Sequence, residues 1–186
     1  MFVQSRTRCF LWRRANLSCV VVRPKFHVGL KFEMYLEIKP RKNTGVIMSV
    51  HGRRDFILLQ LRDGVIELKV DNGKGIIGTQ FNLSNAYHIC DGGWHSIQVL
   101  KNKHVIVLTV DGVHAPPASG PLGSSSADTN KPLFLGSQPR LSSRRGNAVS
   151  EKFVGCMRNV VVNSDKIDFS YILYVGEVNA GVCPTI

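Results

Sequence analysis

A two-residue alternation that starts near residue 31 constrains this chain most. Phe32, Met34, Leu36 and Ile38 alternate with Lys31, Glu33, Tyr35 and Glu37, which places one set on each face of an extended strand. Residues 56–61 and 65–70 are apolar runs joined by Arg62-Asp63-Gly64. Asp-Gly accepts the positive φ values of tight primed turns, so this reads as a hairpin. His95, Ile97 and Val99 alternate again, Lys101-Asn102-Lys103 turns the chain, and residues 105–110 return to a second Asp111-Gly112. Residues 44–50, 132–135 and 153–162 read as further strands. Residues 115–131 are Pro-, Gly- and Ser-rich loop, and 138–149 form a polar basic loop. No segment carries a 3.6-residue apolar stripe, and no repeat of 20–50 residues is visible. Short strands separated by turn signals predict one all-β domain, an antiparallel β-sandwich.

The charge is unevenly placed. The 186 residues carry a net charge of +11, yet residues 1–32 hold seven basic residues and no acid, leaving +4 for the rest. Basicity as a general argument for nucleic acid or membrane surfaces therefore rests on the head. No stretch approaches 18 apolar residues, so no spanning helix and no membrane insertion is expected. The start, MFVQSRTRCFLWRRANLSC, is interrupted by Arg13 and Arg14 and makes a poor secretory signal. Residues 1–19 are expected to be a poorly ordered basic head, with the domain proper spanning 20–186.

The five cysteines are Cys9, Cys19, Cys90, Cys156 and Cys183, an odd count that is no disulfide framework by itself. Cys156 and Cys183 flank the last stretch of the chain. If they bond, loop closure stabilises the fold by about 3–4 kcal/mol. Cys90 ends an apolar run and reads as a small buried hydrophobe. Asn-Leu-Ser sequons at Asn16 and Asn82 are candidate glycosylation sites compatible with secretion.

Catalytic signals are thin. Gly73-Lys74-Gly75-Ile76-Ile77-Gly78 matches G-x-G-x-x-G, but a dinucleotide site needs a helix to start there, and no helical stripe follows. The segment reads as a turn. The six histidines show no H-x-x-x-H, no cysteine pair has C-x-x-C spacing, and no serine sits in G-x-S-x-G. The chain is not expected to be an enzyme.

Two acids stand out for a hard cation. Asp55 follows His51-Gly52-Arg53-Arg54 at the start of a strand, and Asp128 lies in a Ser-rich loop before another. Calcium takes six or more oxygens from carboxylates, carbonyls and waters, but spacing alone does not pair these residues, and each reads by itself as a turn residue. Basic clusters sit at Arg53-Arg54, at Lys101, Lys103 and His104, and at Arg140, Arg144, Arg145 and Lys152.

Gly45-Val46-Ile47, DFILLQLRDG (55–64), CDGGWH (90–95), Val110-Asp111-Gly112, ADTNKPLFLG (127–136) and FVGCMRN (153–159) occur in this order. Together they resemble a laminin G-like domain, most closely the C-terminal ones of laminin α chains, over residues 20–185. The resemblance implies a jelly-roll sandwich that binds ligands at one rim through Ca²⁺. It assigns metal contacts to the Asp55 and Asp128 side chains and to the Asn72 and Ser126 carbonyls. It also implies a Cys156–Cys183 disulfide and an unpaired Cys90. Gly136-Ser137 departs from the Gly-Gly that laminins often show.

The function implied is a secreted basement-membrane module supporting cell adhesion. Its expected partners are heparan sulfate, the glycan of dystroglycan and receptors such as integrin, reached through Ca²⁺ and acidic or sulfated glycans. Arginine offers bidentate forks to sulfate and carboxylate, so Arg53, Arg54, Lys101, Lys103, Arg140, Arg144 and Arg145 are the candidate glycan contacts. Such modules sit within much longer chains, so this sequence is expected to be a fragment or isoform of one. Two rivals are a charge-driven binder of nucleic acid or other polyanions, steeply salt-dependent, and a lectin-like glycosidase with two facing carboxylates.

Overall fold

The computed structural model describes residues 2–5, 19–82, 89–138, 144–175, 178–181 and 183. In chain order its strands are β1 (Phe2–Ser5), β2 (Cys19–Arg23), β3 (Lys31–Pro40), β4 (Gly45–His51), β5 (Phe56–Arg62) and β6 (Val65–Asp71). There follow β7 (Ile76–Asn82), β8 (His95–Asn102), β9 (Val105–Val110), β10 (Val113–His114) and β11 (Ala118–Ser119). The last are β12 (Leu133–Leu135), β13 (Gly155–Val162), β14 (Asp165–Lys166), β15 (Leu173–Val175) and β16 (Val178–Gly181), with a 3₁₀ turn at Phe169–Tyr171.

They form two antiparallel sheets. One runs β10-β9-β8-β3-β13-β1-β16, with β11 on β9 and β14 on β13. The other runs β15-β2-β12-β4-β5-β6-β7. Both Asp-Gly hairpins form as read: Asp63 and Gly64 have φ of 50° and 86°, Asp111 and Gly112 49° and 79°. The alternation along β3 becomes alternating burial, and Phe32, Leu36 and Ile38 enter a core shared with Ile47, Ile57, Leu59, Ile97 and Leu108.

β4 is buried along its whole length, as is β5 apart from Arg62. The reason is a roof. Val149 packs with Val46, Phe56 and Leu58 in a second apolar cluster separate from the main core. The backbone N–H of Val46 donates to the Glu151 carbonyl at 3.0 Å, and that of Ala148 donates to Gln60 Oε1 at 3.2 Å. The described part of the basic loop, residues 144–149, is thereby laid on the outer face of the second sheet.

Residues 2–5 form β1, which pairs with β13 and β16, since an edge of unpaired backbone groups accepts a further strand. Two expectations change. Residues 76–82, which have no clear alternation, are strand β7 because β6 supplies a complete ladder for them. Cys90 is exposed, since the apolar run ends at buried Ile89 and the chain turns there. The Cys156–Cys183 disulfide is present, with Cα atoms 5.9 Å apart. Asn82 is exposed at the end of β7, whereas Asn16 and Arg140 lie outside the described residues.

Candidate functional site

Four segments converge at one rim of the sandwich: the β4–β5 turn with Arg53, Arg54 and Asp55, the β6–β7 turn from Asn72, the β8–β9 turn at Lys103, and the loop holding residues 124–129. Asp55 Oδ2 accepts the backbone N–H of Asp128 at 2.7 Å, joining the two acids that spacing alone could not pair. The approach depends on Gly52, where a Cβ would lie 2.5 Å from the Asp128 carbonyl oxygen.

The 124–129 loop is tethered from beneath at alternate residues. Lys101 Nζ donates to the Ser125 carbonyl at 2.9 Å. Ala127 exchanges both backbone hydrogen bonds with Gly29, at 3.0 and 3.1 Å. Thr129 Oγ1 accepts from Val28 N–H at 3.0 Å and donates to the Phe26 carbonyl at 2.8 Å. Extended backbone alternates its sides, so the residues between these anchors face the rim. Accordingly Ser126 Oγ donates to Asp128 Oδ1 at 2.8 Å, in an exposed contact.

Among the described residues, neither Asp55 nor Asp128 makes a salt bridge, and Asp55 Oδ1 and Asp128 Oδ2 accept no hydrogen bond. No three His, Cys, Asp or Glu side chains among those residues gather as a metal-binding group. A cation here would rest on two carboxylates supplemented by carbonyl oxygens. That donor set is all hard oxygen and fits calcium. Asn72 is buried beside it. Its Nδ2 donates to the Ser124 and Lys103 carbonyls at 3.0 and 3.3 Å, while its Oδ1 is buried with no hydrogen-bond partner. The Asn72 carbonyl expected to serve a metal already accepts from Ser124 Oγ at 2.7 Å, so any metal contact there uses its second lone pair.

The basic candidates separate by environment. Arg53, Arg54 and Lys103 are exposed. Arg145 pairs with fully buried Asp71 at 2.8 Å and reaches the Arg54 carbonyl at 3.3 Å, so it ties the basic loop to the metal rim. Asp71 Oδ1 in turn accepts from Gly73 N–H and Gly75 N–H at 2.7 and 3.2 Å, which makes the G-x-G match a carboxylate-centred turn. Behind this, the His51 ring stacks on Phe56 with centroids 5.3 Å apart and meets the Arg145 carbonyl at 3.2 Å. Burial pushes the His51 imidazole below its ordinary pKa. Glu67 is 3 % exposed and bonds Gln60 and Arg62. Burial alone would raise its pKa, but these donors and Lys69 hold it low.

Lys101 is not the solvent-facing glycan contact expected from its sequence cluster. It is 2 % exposed, its ammonium surrounded by carbonyl oxygens, and it presents no charge to a solvent-borne glycan. The signal was present in the alternation: His95, Ile97 and Val99 continue inward to Lys101. Burial lowers its pKa to about 8, against an opposing pull from Asp55. Lys74, outside the basic clusters visible in the sequence, is exposed and sits over Gly123, whose Cβ position is 3.7 Å from its Nζ.

The family model "Laminin G domain" matches residues 38–168. The chain is 33% identical over 160 residues to the laminin subunit alpha of Drosophila melanogaster, covering 86% of this chain and 4% of that protein. It is 33% identical over 168 residues to mouse laminin subunit alpha-4, covering 89% and 9%. The chain thus spans under a tenth of the length of these curated relatives. Among solved structures, domains LG4-5 of the mouse laminin alpha1 chain superpose with a TM-score of 0.81 at 30% identity, covering 100% of this chain and 46% of that one. A SAP-like pentraxin from Limulus polyphemus, 12% identical with a TM-score of 0.71, covers 98% and 94% and shares the fold alone. With its jelly-roll sandwich and the matched span, the chain belongs to the laminin G domain family, whose members are binding modules and not enzymes.

Proposed function

We propose that the rim around Asp55 and Asp128 is a Ca²⁺-assisted binding site for acidic or sulfated glycans, on a module that works outside the cell in adhesion to matrix and receptors. The observation that carries this reading is the Asp55–Asp128 juxtaposition. The Asp55 carboxylate is held at 2.7 Å to the backbone N–H of Asp128, and with no counter-cation in salt-bridge contact with either acid among the described residues, the pair invites a divalent ion. Asp55 Oδ1, Asp128 Oδ2 and the Ser126 and Asn72 carbonyls are the groups that would hold it. Bound there, calcium supplies an open coordination position for a uronate carboxylate or neighbouring hydroxyls.

The surroundings suit an anionic ligand. Arg53 and Arg54 are exposed next to Asp55, Lys74 and Lys103 stand on the adjoining turns, and Arg145 draws the 144–149 loop to the same rim. Guanidinium forks fit sulfate and carboxylate geometry. Heparan sulfate, the dystroglycan glycan and integrin-type receptors are the partner classes proposed, with the chain acting as one module of a longer secreted protein. Asn82 is the proposed glycosylation site within the described residues.

The test is a calcium titration followed by melting temperature, with and without a uronate-containing glycan. Ligand binding to the folded state raises the melting temperature in proportion to RT ln(1 + [L]/Kd). A calcium-dependent rise, enlarged by glycan and abolished in Asp55→Ala/Asp128→Ala, is expected. An unchanged calcium response in the double variant would overturn the site.

A further inference from the structure

The rim loops share one side chain, Lys101. Its Nζ donates to the Gly29 carbonyl at 2.8 Å, Ser125 at 2.9 Å and Lys103 at 3.0 Å, with Leu30 at 3.4 Å. These oxygens come from three separate segments: the β2–β3 connection, the β8–β9 turn and the 124–129 loop. A buried ammonium costs several kcal/mol unless its protons are all used, and here three acceptors lie within 3.0 Å. Gly29 O accepts from both Lys101 Nζ and Ala127 N–H, so the lysine and the Gly29–Ala127 bridge brace one another. Ser125 precedes Ser126 directly, and Asp128 lies three residues on.

We propose that Lys101 is a positioning residue for the rim site: a tethered internal cation that fixes the 124–128 loop so that Ser126 and Asp128 already face Asp55 before a ligand arrives. This rests on the calcium reading of that site. Lys101 has two opposed influences on a divalent ion. Its anchoring preorganises the oxygens, which favours binding, while its positive charge repels the ion. Anchoring outweighs repulsion, which gives the test a sign.

Lys101→Met keeps the stem and removes both charge and donors. Lys101→Gln keeps two donors without charge and is measured alongside, so that either variant decides if the other fails to fold. Calcium Kd is measured by calorimetry on the full chain, and the metal-free melting temperature separately. Expected are a Kd weakened tenfold or more in Lys101→Met and a smaller loss in Lys101→Gln, beyond any change in metal-free melting. Unchanged or tighter calcium binding, with only the metal-free melting lowered, would show a purely structural lysine and overturn the inference alone. No calcium binding by the wild-type chain would overturn the calcium reading and this inference with it.

Discussion

Asp55 Oδ2 and the backbone N–H of Asp128 meet at 2.7 Å across 73 residues of sequence. The bond brings the Asp55 carboxylate, at a strand start, against the main chain of Asp128 in a long loop. It needs only the main chain of Asp128, so both carboxylates keep an oxygen for other work.

Asp55→Asn retains an oxygen acceptor for that N–H and removes one negative charge. The metal-free melting temperature is expected to stay within about 2 °C of wild type, because a surface charge change is within ~0.5 kcal/mol. The calcium-dependent rise should vanish. A retained rise, followed by differential scanning fluorimetry, would place the cation elsewhere.

Gly146→Ala separates the basic loop from the cation rim. Gly146 has φ +83°, and a Cβ there would come 2.3 Å from the ring of Phe56, which is fully buried and has no room to retreat. A loss of about 1–3 kcal/mol is expected from overpacking. Since Arg144 and Arg145 precede this glycine, heparin affinity should fall while the calcium-dependent melting shift persists. Equal losses in both would mean that the two features are one mechanical unit.

His51 sets a pH dependence. Its folded pKa lies below the ordinary imidazole value because burial disfavours the charged ring. The unfolded chain therefore binds the proton first. Stability from the neutral ring is present above about pH 6.5 and is lost as pH falls through the lower folded value. Melting temperature should drop between pH 7 and pH 5. His51→Phe, which keeps the stack on Phe56, should flatten that drop while melting lower at pH 7. An identical pH profile in the variant would rule His51 out as its source.

Replacing both Cys156 and Cys183 by Ala removes the cross-link between β13 and the C-terminal stretch. A loss of about 3–4 kcal/mol is expected from loop-closure entropy, roughly 10 °C in melting temperature for a chain this size. Reduction of the wild type with dithiothreitol should reproduce the loss, and Cys90→Ala should not.

The alternation of Phe32, Met34, Leu36 and Ile38 and the Asp63-Gly64 and Asp111-Gly112 hairpins were legible because strand period and turn chemistry are local properties. β7 was not, since Gly78 and the polar residues around it take their extended form from the β6 ladder. Nor was the exposure of Cys90, which depends on where the chain turns after Ile89.

At the site, the sequence by itself determined which residue types were on hand: two acids in turns, arginines beside one of them, and an ordered motif set that pointed to a sandwich. Which of them meet was decided by tertiary structure alone. Asp55 and Asp128 come together because two strands of one sheet and a loop braced by the other end at the same rim. Lys101 and Lys103, two residues apart, part company there: one strand face looks into the core, where an ammonium must find carbonyls, and the next turn looks into water.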